Sequence, residues 1–180
     1  IFVVKAKGKS EIHEGIRTIL RSFALSAIVS IAGFFWLANT ITGDYRLAIA
    51  TTVGILLAIV IFILTEYATG NHAPARDIAK QSQTGPATVI LSGLVSGFSS
   101  TVWAILAIGV TILASYLLFA DPLVAAYGIA LAGMGMLTTT GLIVSMDSFG
   151  PIADNAQGIA ELTGIKGKAL SILPKLDSIG

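Results

Sequence analysis

The chain has 180 residues, 54% hydrophobic and 12% charged, with a mean hydropathy of +0.86. A soluble domain carries about 25% charged residues, so half that value around long uncharged runs excludes an ordinary soluble enzyme and points to a multi-spanning membrane protein. A net charge of +1 gives no electrostatic case for nucleic acid, and the absence of cysteine excludes a disulfide framework, a zinc–thiolate site and a cysteine nucleophile. The chain starts at Ile1 and stops at Gly180 with no signal pattern, and it reads as an internal piece of a larger protein.

Residues 1–21 carry Lys5, Lys7, Lys9, Arg17 and Arg21 around Glu11, His13 and Glu14, a wet and basic approach to a first span at 22–41. His13 is read there as a solvated histidine rather than a metal ligand. Phe35 and Trp36 fall where an interfacial aromatic belt belongs, and Gly43-Asp44 reads as a tight turn. The second span is predicted over 47–66, with eighteen uncharged residues from Leu47 to Leu64 and Glu66 just beyond them. Glu66 is either a carboxylate snorkelling to the headgroups or a functional one.

Residues 70–84 form a polar loop or short surface helix, with Thr84 as cap of the next helix and Pro86 in its first turn. The uncharged stretch 85–120 would be about 54 Å long as one helix, against a hydrocarbon core of roughly 30 Å. It is therefore one projecting helix or two short ones. Charge placement decides for one. A single helix puts ten of the eleven lysines and arginines on one side, leaving only Arg46 opposite. Splitting it gives seven against four, a weaker match to the positive-inside rule. Segments 1–21, 68–84 and 163–180 are then cytoplasmic. Within that helix Ser92, Gly93, Ser96, Gly97 and Ser100 form a small-residue ridge suited to helix packing.

The fourth span is predicted over 122–162, rich in Gly128, Ala132, Gly133 and Gly135, and it carries carboxylates out of the apolar run. Asp147, Asp154 and Glu161 recur every seven residues, so on a helix they share one stripe with about 10 Å per step. Asn155 and Gln157 add amides near it, with Asn155 read as the closer. Pro151 cannot donate to the Asp147 carbonyl, which allows a kink and a free oxygen there. Carboxylates running off a membrane helix mark a cation or magnesium-phosphate site, since magnesium takes hard oxygen ligands. Gly164-Ile165-Lys166-Gly167-Lys168 leaves the helix and lacks the spacing of a P-loop.

Asp147-Ser148-Phe149-Gly150-Pro151-Ile152-Ala153-Asp154-Asn155-Ala156-Gln157-Gly158-Ile159-Ala160-Glu161 closely resembles the D-x-x-G-P-I-[SA]-D-N-A-x-G-I-A-E segment of the membrane-bound, ion-translocating pyrophosphatases. Thr65-Glu66-Tyr67 resembles that family's T-E-Y, and Thr84-Gly85-Pro86-Ala87-Thr88 its T-G-x-A-T. Leu176-Asp177-Ser178-Ile179-Gly180 resembles its L-D-x-x-G, and the similarity spans about residues 60–180. The stretch Ala169–Lys175 departs from the Arg/Glu-rich run of many members, which leaves the subgroup open.

The resemblance implies an all-α, multi-spanning transmembrane helix bundle of sixteen helices, six in an inner ring, working as a homodimer in a cell or acidic-organelle membrane. These four helices would be the eighth to eleventh. It implies hydrolysis of pyrophosphate, with Mg2+ as cofactor and K+ as a candidate activator, coupled to pumping of H+ or Na+ through the lipid bilayer. Asp154 and Asp147 are then the catalytic candidates and Asp154 and Asn155 the metal-holding ones. Glu66 and Glu161 are supporting polar groups. The remaining phosphate-binding lysines and carboxylates would lie outside this chain, so by itself it is expected to be inactive. Two other readings stand beside this one. The stripe suits the ion path of a secondary cation transporter or channel. The chain is otherwise a silent helical scaffold, which sits poorly with an Asp147 flanked by helix on both sides.

Overall fold

A computed structural model describes residues 12–164 and 167–177, with the side chains of 12–16, 168–171 and 177 left aside. The expectations placed on residues 1–11, on the His13 side chain, on Lys166 and on residues 178–180 lie outside what is described. The helices are α1 (Ile12–Ile41), α2 (Tyr45–Thr69), α3 (Ala73–Gln81), α4 (Pro86–Leu117), α5 (Pro122–Leu137), α6 (Thr140–Thr163) and α7 (Lys168–Asp177). No strand occurs among the described residues. Four stretches are long and apolar enough to cross a membrane: Arg17–Ile41, Tyr45–Gln81, Pro86–Leu117 and Pro122–Thr163. The chain is thus all-α and multi-spanning, because in lipid a helix satisfies its backbone polar groups within one segment. It divides into two compact units, Gly33–Leu137 and Ile1–Ala32 with Thr138–Gly180.

In the unit Gly33–Leu137, a tight corner joins α1 to α2. Gly43 takes φ +68°, which a residue without Cβ adopts freely. The Asp44 carboxylate caps α2, accepting from the Arg46 backbone N–H at 2.9 Å, and it pairs with the Arg46 guanidinium at 2.8 Å. The hydrogen bonds from Arg46 hold the Asp44 carboxyl below its usual 3.8. Its contribution to the corner is therefore present above that value and is lost as pH falls through the lower folded one. Tyr45 Oη donates to Asn39 Oδ1 at 2.7 Å, and the Tyr45 ring stacks on Phe35.

α2 packs mainly against α5, and the approach is close. A Cβ on Gly54 would overlap the Ala132 backbone, reaching 2.6 Å from its carbonyl carbon. One on Gly135 would overlap the Thr51 backbone, 2.9 Å from its carbonyl carbon. Around these glycines Ala48, Thr51, Ile55, Ala58, Ala125 and Ala132 are buried. Small residues that let backbones meet are the usual basis of helix association where lipid removes the hydrophobic drive. The close packing expected of this span is supplied by Gly128, Ala132 and Gly135 of α5. The ridge expected on α4 behaves differently, since a Cβ on Gly93 or Gly97 meets nothing within 4 Å.

α3 resolves the 70–84 alternative in favour of a short helix, and residues 86–117 form one helix. Thr84 is not the cap of α4. Gly85 takes that place with φ 130° and no side-chain cap bond, ahead of Pro86. Pro86 lacks an N–H and needs no cap partner. The Thr84 hydroxyl instead donates to Gln81 O at 2.8 Å and meets Thr88 Oγ1 at 2.6 Å.

The run read as one span from 122 onward has a break where the second unit's segment Thr138–Gly180 begins. Thr138 and Thr139 leave helical geometry, with Thr139 at φ −95° and ψ 2°. Three successive threonines explain it, since β-branching and backbone-seeking hydroxyls weaken a helix. α6 restarts with Leu142 N donating to Thr139 O at 3.1 Å. It continues through Pro151 as helix and ends at Gly164, in left-handed conformation with φ +65°. α7 follows and packs on α6. Pro174 lies inside α7, and a proline in so short a run masks the helix in the sequence.

Candidate functional site on the carboxylate helix

α6 carries Asp147, Asp154, Asn155 and Glu161 on one continuous helix. All four are exposed. Ala153 and Ala160, seven apart like the carboxylates and one position before two of them, are the buried residues of α6. The helix thus turns small apolar residues inward and leaves its acids facing out. Among the described residues Asp147, Asp154 and Asn155 make no side-chain hydrogen bond or ion pair. Glu161 accepts from Gln157 Nε2 at 3.0 Å.

This last contact corrects the ranking of the two amides. Asn155 lies about 100° around the helix from Asp154, whereas Gln157 is four residues from Glu161 and on its side. The i,i+4 spacing from 157 to 161 is the signal in the sequence. No group of three or more His, Asp or Glu among the described residues could hold a metal ion. Helical rise accounts for this. Carboxylates about 10 Å apart along one helix cannot converge on an ion that demands oxygen ligands at about 2.0–2.1 Å. The donor set does fit one share of a magnesium site: an ionisable carboxylate and an adjacent amide oxygen, hard and uncommitted.

Glu66 stands in the last turn of α2, in the other unit. His72 Nε2 lies 3.3 Å from Glu66 Oε1, and the His72 ring stacks on Tyr67 with centroids 5.4 Å apart. Gly70 makes the fold-over possible, since a Cβ there would come 2.6 Å from Glu66 O and 3.1 Å from Glu66 Oε1. Sequence reasoning does not find this partner of Glu66. The segment around His72 is polar and short, and it offers no period from which to place the ring.

Four long apolar helical stretches, the last of them running into a carboxylate-bearing helix, define a multi-pass membrane protein. The chain belongs to the inorganic H+ pyrophosphatase family, whose model matches residues 1–180. It is 44% identical over 174 residues to a K(+)-insensitive pyrophosphate-energized proton pump of Chloroflexus aurantiacus, covering 89% of this chain and 22% of that one. It is 36% identical to another of that description from Methanosarcina mazei, over 100% of this chain and 27% of the relative. A candidate K(+)-stimulated pyrophosphate-energized sodium pump of Clostridium tetani is 39% identical, over 96% and 26%. The chain thus spans about a quarter of the length of the curated relatives it matches.

Proposed function

We propose that the intact protein hydrolyses inorganic pyrophosphate with magnesium and couples the reaction to pumping of H+ or Na+ across its membrane. In this reading the chain contributes one wall of the site. The observation that carries it is the match of the family's model to the whole chain, with Asp154 and Asn155 uncommitted on α6. Relatives named as pyrophosphate-energized pumps favour hydrolysis over a secondary transporter.

Magnesium, when bound, neutralises diphosphate charge and lowers the pKa of coordinated water. Asp154 would hold the cation by a carboxylate oxygen, and the Asn155 amide oxygen would offer a neutral ligand. Asp147, two turns nearer the apolar run, holds or passes a proton on its carboxyl oxygen. Glu66 and Glu161 support the site as polar groups. Membrane lipid surrounds the spans, and two copies of the intact protein form the working dimer. The relatives' names divide between K+-insensitive and K+-stimulated, so K+ is a candidate activator.

The intact protein in sealed vesicles is expected to release phosphate from pyrophosphate only with magnesium and to acidify the lumen or load it with sodium. Residues 1–180 alone are expected to do neither. Ion uptake without phosphate release would overturn the proposal, and so would hydrolysis by the short chain.

The proposal also fixes a topology. Lys9→Cys, His72→Cys and Lys168→Cys in the intact protein should react with an impermeant thiol reagent from the cytoplasmic side. Asp44→Cys and Asp121→Cys should react from the opposite side. Labelling of positions 121 and 72 from the same side sinks this arrangement.

A further inference from the structure

Arg46 is the only lysine or arginine between Arg21 and Arg76, and its side chain reaches across to a second corner of the unit Gly33–Leu137. Asp44, fixed as the cap of α2, accepts from Arg46 Nε at 3.0 Å and from Nη2 at 2.8 Å. This two-point grip sets the plane of the guanidinium. Its Cζ then stands 5.5 Å from the centroid of the Phe119 ring, within the range of a cation–π contact. Phe119 lies in the turn between α4 and α5 and is buried. Its ring packs with Ala50 of α2 and Ala125 of α5. Gly128 makes the room, since a Cβ there would come 2.9 Å from Phe119 Cδ2.

Four residues before Phe119, Ser115 of α4 is fully enclosed, and its Oγ has no hydrogen-bond partner among the described residues. Other helical hydroxyls of this chain donate to the carbonyl four residues back. Thr51 does so to Leu47 O at 2.9 Å, and Ser145 to Gly141 O at 2.7 Å. An enclosed hydroxyl without a partner favours any opening that lets water reach it. The closed seam at this end of α4 therefore carries a penalty, and a contact made only when it is closed offsets that penalty. The stack of Arg46 on Phe119 is such a contact.

We propose that Phe119 is a plug closing the seam between α2, α4 and α5 at their shared end, and that Arg46, aimed by Asp44, is the latch that keeps it shut. Opening lifts the ring off Ala50 and Ala125, breaks the stack with Arg46 and admits water to Ser115. The device governs access to the seam, and its test is independent of pyrophosphate hydrolysis.

That test is thiol access in the detergent-solubilised intact protein, freed of other cysteines, where membrane sidedness plays no part. Ser115→Cys is close in size and reports a water-borne reagent reaching the seam. A hydrophilic methanethiosulfonate should label it slowly, at a rate set by the open population, while Asp121→Cys, at an exposed position, labels fast. Adding Arg46→Gln should raise the Ser115→Cys rate about two- to fivefold, the range of an exposed cation–π contact. Phe119→Leu, which shrinks the plug, should raise it about tenfold. In that background Arg46→Gln should add nothing, because the latch acts through the ring. Ala58→Cys, buried on α2 and about 18 Å further along it than Arg46, should stay protected in every variant. Arg46 is exposed, so Arg46→Gln carries the test alone if Phe119→Leu fails to fold. Fast labelling of Ser115→Cys with Arg46 and Phe119 in place overturns the inference, as does an unchanged rate in Arg46→Gln. Additive effects in the double variant, or labelling of Ala58→Cys alongside Ser115→Cys, overturn it equally.

Discussion

Asp154→Asn in the intact protein should lower pyrophosphate hydrolysis by at least about a hundredfold, with pumping falling alongside it. The substitution keeps size and hydrogen bonding and removes one negative charge from the magnesium-pyrophosphate site proposed above. Losing a ligand there costs several kcal/mol, and each 1.4 kcal/mol is about tenfold in rate or affinity. Asp147→Asn should behave differently. Its carboxylate sits one step of about 10 Å nearer the apolar run, so hydrolysis suffers less and coupling suffers more. If Asp154 were merely a solvated residue on an exposed helix face, its substitution would be worth under about 0.5 kcal/mol. Phosphate release measured against magnesium for both variants separates these cases. Normal activity with unchanged magnesium dependence in Asp154→Asn ends the site assignment.

The helical, membrane-spanning character is legible because composition and run length state it directly. Eighteen uncharged residues from Leu47 to Leu64 admit few other readings. The single helix over 86–117 is legible through charge placement alone. What composition hides is local backbone chemistry. Thr138-Thr139-Thr140 interrupts an otherwise apolar run, and hydropathy barely registers three threonines that compete for backbone groups. The cap at Gly85 is hidden for a related reason. A threonine two residues before a proline resembles a cap, yet the positive φ at the intervening cap position suits only the glycine. On α6 the seven-residue repeat by itself puts the acids on one stripe. The partners of Glu161 and Glu66 are harder to read. Each lies one turn or one corner away, and helical phase or chain reversal, rather than residue type, brings it close.

Adding one methyl group at Gly54 or Gly135 should destabilise the protein, while the same change at Gly133 should not. In an exposed helix interior, glycine to alanine is favourable by about 1 kcal/mol, and a Cβ on Gly133 meets nothing within 4 Å. Gly133→Ala is therefore expected to be neutral or stabilising. At Gly54 and Gly135 the new Cβ meets backbone, the Ala132 and Thr51 peptide groups respectively. No rotamer change relieves a clash with a carbonyl, so α2 and α5 must separate. Overpacking of this kind costs about 1–3 kcal/mol, and rigid backbone on both sides puts these two at the upper end or beyond. The separation also loosens Ala48, Ile55, Ala125 and Ala132, now buried between the helices. Thermal aggregation of the detergent-solubilised intact protein, followed by loss of the monodisperse peak, gives the ranking. Gly54→Ala and Gly135→Ala should aggregate several degrees below the unsubstituted protein, with Gly133→Ala at or above it. Equal midpoints for all three would mean that the close approach of α2 to α5 does not exist in the intact protein.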